Sequence, residues 1–273
     1  MGALNSLDTW PVPAAAAAVV DADGVVAAHG PSSPFAWASV TKLLVALTVL
    51  DCVEQGVIDL DERAGPPTST VRHLLSHASG LAPDADAVLA PPGRQRIYSN
   101  RGFEVLGDLL ARRVGTSVAD HIDKRVCRPL GMTRTRLVGS PAHGVTGPVS
   151  DAAVLARELL RPTLVPGPLL AEATRPVFPG LSGVLPGFGR QQPNDWGLGF
   201  EIRDGKSPHW TGTTNSPRTF GHFGRSGGFL WVDPEAEIAC VCLTDRDFGP
   251  WAVSAWPSLS EAVLDEFGRA TRA

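Results

Sequence analysis

Apolar and polar positions change period twice along this chain. Two short apolar runs, residues 14–20 and 25–28, flank Asp21-Ala22-Asp23-Gly24. An Asp-Gly pair between such runs predicts a β-hairpin. After a Gly/Pro loop at 30–34 the period becomes helical, and residues 41–54 predict a helix built around Leu43-Leu44-Val45-Ala46-Leu47-Thr48-Val49-Leu50. That helix is apolar on nearly every side, which predicts complete burial, and Gly56 is placed to end it in a left-handed turn. Shorter helices are predicted at 71–77 with Thr70 as cap, at 102–113, at 118–127 stopped by Pro129, and at 151–160 with Ser150 as cap. Residues 162–194 are rich in proline and glycine and predict loop, with little more than one helical turn near 169–174. The period then shortens to that of strands at 196–203, 219–224, 229–232 and 237–243, with Asp233-Pro234-Glu235-Ala236 as the turn between the last two. Ser258-Leu259-Ser260-Glu261 reads as a capping box opening a last helix to about residue 267.

Strands at both ends and helices between them predict an α/β (α+β) fold. One antiparallel sheet is expected from the N-terminal hairpin and the C-terminal strands, flanked by helices, with the helical middle inserted as a second lobe. The corresponding division is residues 1–45 and 195–273 for the sheet lobe and 46–194 for the helical lobe. A cleft between lobes is where a site is expected.

Composition narrows the function classes. The 273 residues carry a net charge of −4, 43% hydrophobic and 19% charged residues, and no basic tract. Nucleic acid and membrane surfaces are therefore not expected partners. No apolar run reaches about 18 residues, so no membrane span is expected. The N-terminal residues lack the basic region of a signal peptide, which makes the cytoplasm the expected compartment. The four cysteines show no C-x-x-C spacing and are expected as buried free thiols. No cofactor or metal is expected, and oligomeric state is not legible.

Three segments carry candidate chemistry. Ser39-Val40-Thr41-Lys42 opens the apolar helix and puts a hydroxyl and an amine on one helical face. The helix dipole and apolar neighbours both lower an ammonium pKa, so Lys42 can serve as a base toward Ser39; as a plain structural pair, Ser39 would cap the helix and Lys42 would reach water. Tyr98, the only tyrosine, stands in Tyr98-Ser99-Asn100 just before a helix. A phenol there can relay protons, and Asn100 can hold substrate or the lysine. His222-Phe223-Gly224 ends a strand and leads into a Gly-rich turn, where backbone N–H groups can face an oxyanion.

Together these segments resemble the three motifs of the serine β-lactamase and penicillin-binding superfamily, in the version of class C β-lactamases, D-aminopeptidases and related esterases. The stretch from Val71 through Ser79-Gly80-Leu81 looks like the family's connection between its first two motifs, and Pro129-Leu130-Gly131-Met132 and Trp196-Gly197-Leu198-Gly199-Phe200 also match in kind. The resemblance spans about residues 12–268. It implies an acyl-enzyme: Ser39 as nucleophile, Lys42 as base, Tyr98 as partner acid/base, and the N–H groups of Ser39 and Arg225 as oxyanion hole. His222 takes the place of the third motif's lysine or histidine, with Asn100, His222, Phe223 and Gly224 as substrate contacts.

Phe223 departs from the family pattern, which has a threonine or serine there to hold a substrate carboxylate. Losing such a charge-assisted hydrogen bond weakens binding by about 1.5–3 kcal/mol. With a chain short for the family in the 162–194 region, this points to a carboxylesterase on small esters. The alternatives are a β-lactamase or D,D-peptidase-like or aminopeptidase-like amide hydrolase, and a non-catalytic ligand-binding relative. Two other motifs are weaker. Gly224-Arg225-Ser226-Gly227-Gly228 matches a nucleophile elbow, but a strand and no later histidine follow it. His73 and His77 have zincin spacing without the glutamate.

Overall fold

The structure is a computed structural model and describes residues 2–268. A 3-10 helix, Ala3–Thr9, leads to β1 (Ala15–Val20), β2 (Val25–His29) and the short β3 (Phe35–Ala36). A 3-10 turn, Ala38–Val40, then runs straight into α1 (Thr41–Glu54). Next come α2 (Val71–Leu75), α3 (Asn100–Val114), α4 (Val118–Ile122), a π-helical turn Asp123–Cys127, α5 (Arg128–Leu130), β4 (Arg136–Leu137) and β5 (Val145–Gly147). They are followed by α6 (Val149–Leu160), α7 (Gly167–Ala173), β6 (Gly183–Leu185) and β7 (Gly189–Gln191). The C-terminal part holds β8 (Glu201–Ile202), β9 (Phe220–Phe223), β10 (Phe229–Asp233), β11 (Ile238–Thr244) and α8 (Pro250–Phe267).

The N-terminal hairpin and the C-terminal strands form one six-stranded sheet in the order β2-β1-β11-β10-β9-β8, antiparallel throughout. Ala15 lies opposite Thr244 on the β1–β11 pair, and Phe229 opposite Phe223 on the β10–β9 pair. Alternate residues of β1 and β11 enter different cores. Ala16, Ala18, Val20, Ala239, Val241 and Leu243 join the core of α1, α3 and α6. Ala17, Val19, Cys240 and Cys242 join Trp256, Leu259 and Val263 of α8 and Leu4 and Leu7 of the N-terminal turn. Burial on both faces is why β10 and β11 are apolar at successive positions rather than alternating. All four cysteines are buried and unpaired. Among the described residues no helix is long and apolar enough to cross a membrane.

Where the structure departs from the pattern-based reading, tertiary contacts outweigh local signals. The last helix begins at Pro250, not Ser258, and runs through Pro257. Burying Ala252 and Trp256 on the sheet outweighs the cost of an interior proline. The capping-box glutamate Glu261 instead accepts hydrogen bonds from the backbone N and hydroxyl of Thr213 (2.9 and 2.6 Å). Ser150 is no cap either: α6 starts at Val149, and Asp151 in its first turn accepts from Arg134 N and Thr135 Oγ1 (2.9 and 3.0 Å). Pro129 does not stop its helix, because a wide π turn precedes it and Gly131 supplies the left-handed end. The strand predicted at 196–203 is only Glu201–Ile202, with a single bridge from Trp196 to Glu201. The 162–194 region holds a seven-residue helix and a hairpin, α7 and β6–β7.

Candidate active site

The 3-10 turn before α1 presents Ser39. Its preceding residue, Ala38, has φ +44°, a conformation that a Cβ disfavours. Trp37 pins the turn, its backbone N donating to Val145 O (2.9 Å) and its indole to Gly147 O (3.1 Å). One turn into α1, Lys42 is completely buried. Its Nζ lies 2.7 Å from Asn100 Oδ1, 2.8 Å from the Ala142 carbonyl and 3.2 Å from Ser39 Oγ. The two carbonyl oxygens can only accept, so they take two N–H groups. Burial holds the amine well below its usual pKa, and nearby Asp84 and Glu104 only partly offset this. Lys42 Nζ also donates to Ser39 Oγ, and once the amine has lost its proton its lone pair can accept the Ser39 hydroxyl proton along the same line.

Tyr98 is set by the start of α3. Ser99 caps that helix at Gly102 N (3.0 Å) and donates its hydroxyl to Ala82 O (2.7 Å). The Tyr98 hydroxyl donates to Ser39 Oγ at 2.8 Å and lies 3.5 Å from His222 Nε2. Burial pushes the phenol above its ordinary pKa despite the bond to Ser39, so it remains a proton donor. His222 Nδ1 sits 2.6 Å from the Phe223 carbonyl, which can only accept, so the proton is on Nδ1 and Nε2 carries a lone pair. Burial, with Lys42 second, lowers the His222 pKa to about 3. Asn100 is oriented by Asp84, whose carboxylate accepts from Nδ2 at 2.8 Å and leaves Oδ1 for Lys42.

Ser39, Lys42, Tyr98, Asn100 and His222 are thus brought together from segments far apart in the chain. Gly224 lies against the same turn: a Cβ on it would come within 2.6 Å of Trp37 O and 3.2 Å of Ser39 N. The backbone at Gly224 therefore passes beside Ser39 N, while the Arg225 side chain is 89% exposed and 3.6 Å from Asp247. Phe223 is not brought in. Its ring is on the sheet face opposite His222, packed among Phe188, Trp210, Phe248 and Trp256, so the side chain belongs to the α8 core.

Three contributors carried little sequence signal. The Ala142 carbonyl and Asp84 touch Lys42 and Asn100 across loops, and backbone acceptors leave no mark in a sequence. His77, in the left-handed conformation (φ +56°), accepts from Ser99 N at 3.1 Å and packs on Tyr98 and Trp196 (centroids 4.6 and 4.7 Å). Its place in the stretch before Ser79-Gly80-Leu81 was the one available cue. The rival motifs dissolve. Ser226 Oγ donates to Ala36 O (2.8 Å) and a strand follows it. His73 bonds Thr70 Oγ1 (2.8 Å) and stacks on Phe178, engagements separate from those of His77. Asp51, Cys52 and His121 lie within 4.8 Å of one another, but Arg125 already holds both oxygens of Asp51 at 2.9 Å.

The histidine geometry predicts an acid limb in stability. An unfolded histidine takes a proton near pH 6.5, whereas folded His222 resists until about 3. The unfolded state binds more protons in between, so stability falls as pH drops from about 6.5, by about 1.4 kcal/mol per pH unit for one such side chain. His77, also held neutral by burial, adds a parallel slope. Urea unfolding of His222→Gln at pH 7, 6 and 5 should show a limb shallower by that amount; an unchanged limb would reject a buried neutral His222.

The family described as Beta-lactamase matches residues 8–263. A crystal structure described as a β-lactamase from Mycobacterium bovis superposes with a TM-score of 0.96 at 57% identity, covering 97% of this chain and 99% of that one. Simvastatin synthase from Aspergillus terreus superposes with a TM-score of 0.78 at 16% identity, over 97% of this chain and 96% of that one, and shows the shared fold. Among curated proteins, ML-236A carboxylate methylbutanoyltransferase of Penicillium citrinum is 28% identical, over 37% of this chain and 37% of that protein. The chain thus aligns with little more than a third of that relative's length. With a match that runs nearly end to end, the chain belongs to the β-lactamase family.

Proposed function

We propose that this chain is a serine hydrolase acylated on Ser39 and acting on small, uncharged esters. The observation that carries the reading is Ser39 Oγ held between the Lys42 amine at 3.2 Å and the Tyr98 phenol at 2.8 Å. Oγ attacks the ester carbonyl as its proton passes to Nζ, and the N–H groups of Ser39 and Arg225 face the developing oxyanion. The Tyr98 phenol protonates the leaving alkoxide and is reprotonated from the Lys42 ammonium. Water then attacks the acyl-enzyme, giving its proton along the same path, and Ser39 leaves with a proton restored. Esters are favoured over peptides with a free carboxylate because burial works against charge on the groups around Ser39: it lowers the pKa of Lys42 and of His222 and raises that of Tyr98.

Hydrolysis of β-lactams is the second reading, favoured by the 57% identity to the Mycobacterium bovis protein described as a β-lactamase. Turnover of a short-chain nitrophenyl ester and of a chromogenic cephalosporin separates the two. The ester should be cleaved by the wild type and by Ser226→Ala but not by Ser39→Ala, and a fluorophosphonate should add its mass to Ser39. Cephalosporin cleavage without ester cleavage would replace the first reading by the second. A wild-type protein that neither turns over nor takes the label would be a non-catalytic relative.

A further inference from the structure

A cleft of about 400 Å³ opens beside Tyr98, lined among others by Pro83, Leu89, Ile97, Val184 and Pro186. That size suits a small organic group. Tyr98 is the shared wall: its ring borders the cleft and its hydroxyl touches Ser39 Oγ at 2.8 Å. The opposite wall is the β6–β7 hairpin, sewn to the segment before Tyr98. Arg96 N donates to Ser182 O (2.9 Å), and Gly183 approaches so closely that a Cβ would come within 2.3 Å of Arg96 O.

Two side chains at this cleft are exposed in a way that costs solvation. Leu89 and Val184 are each 59% exposed, and neighbouring Val88 is 52% exposed. Single exposed apolar residues need no explanation, but a group converging on one cleft does. The cationic residues at its border are occupied. The Arg96 guanidinium donates to the carbonyls of Ser76, Asn194, Val177 and Phe178, and Arg190 donates to Ser182 Oγ (3.3 Å).

We propose that this cleft is the subsite for an apolar arm of the substrate, an aliphatic or aromatic group carried on the acyl side of the scissile bond. The inference rests on the reading of Ser39 as the acylated residue. It makes Leu89 and Val184 specificity-determining residues, because an arm reaching past the Tyr98 ring covers them.

The test is a series of nitrophenyl esters from acetate to octanoate, with kcat/KM measured for the wild type, Leu89→Asp and Val184→Asp. Wild-type kcat/KM rises by about fourfold per added methylene until the cleft is filled. The hexanoate-to-acetate ratio falls at least tenfold in each variant, while Val138→Asp, at a 70% exposed site elsewhere, keeps the wild-type ratio. Thermal unfolding confirms that the variants fold. A wild-type series flat in chain length, or variants that keep the ratio, with normal fluorophosphonate labelling of Ser39, overturns the subsite alone. Loss of labelling in the wild type overturns the Ser39 reading and the subsite with it.

Discussion

Lys42→Met is expected to lower ester turnover by about 10³-fold, inside the 10²–10⁴ range of a general base. Methionine fills much of the lysine's volume in its buried slot but offers no lone pair able to take the Ser39 proton. The amine's other partners, Asn100 Oδ1 and Ala142 O, lose two donors, so some loss of stability accompanies the loss of rate. Lys42→Arg discriminates further. Arginine can keep donating to both carbonyl oxygens, yet a guanidinium stays protonated and cannot act as a base. Both variants should therefore be slow, whereas a lysine that merely braced Asn100 would be replaced by arginine with much of the rate intact. The pH profile gives the same distinction. Because burial lowers the Lys42 pKa, wild-type activity persists far below the usual ammonium pKa and declines only on the acid side, as Nζ takes a proton. Turnover by Lys42→Arg near the wild-type level would remove the base role.

Lys206→Met is expected to destabilise the fold by about 3–5 kcal/mol, the usual cost of breaking a buried ion pair. Lys206 and Glu201 are both buried at the sheet edge, and Lys206 Nζ is paired with the Glu201 carboxylate and bonded to the carbonyls of Asp195 (2.7 Å) and Ile202. The other Glu201 oxygen bonds His209 Nε2 (2.9 Å) and the Trp210 indole (3.0 Å). Burial alone would raise the Glu201 pKa, but Lys206 and His209 overcome it and hold the carboxyl at about 2. Removing the ammonium strands that charge among apolar neighbours. In a chain of this size the loss lowers the melting temperature by roughly 6–20 °C. The wild-type contribution is present above the unfolded glutamate pKa of about 4.3 and is lost as pH falls toward 2. Glu201 lies opposite Gly221, the residue before His222, so the network also holds the strand that faces Tyr98. A shift of less than about 1 kcal/mol in urea unfolding would show that the pair carries no such load.

The elements read correctly from the sequence are those whose signals are local. The Asp-Gly hairpin, the wholly apolar α1 with Gly56 behind it, and the Thr70 and Ser99 region all follow from neighbouring residues. The misread elements are those where a local signal met a stronger distant contact. Ser258 and Glu261 have the spacing of a cap, but Glu261 is taken by Thr213, and burial of Trp256 carries the helix through Pro257.

By itself the sequence determined the antiparallel α/β architecture and the segments that hold Ser39, Lys42, Tyr98, Asn100 and His222, because hydrophobic period and short-range spacing are written along the chain. Only the tertiary structure decided what those residues touch. Lys42 reaches Asn100 and Ala142 across 58 and 100 residues of chain, and no local pattern encodes either contact. It also turned Phe223 away from the site, since adjacent side chains of a strand enter opposite faces and His222 occupies the one that faces Ser39.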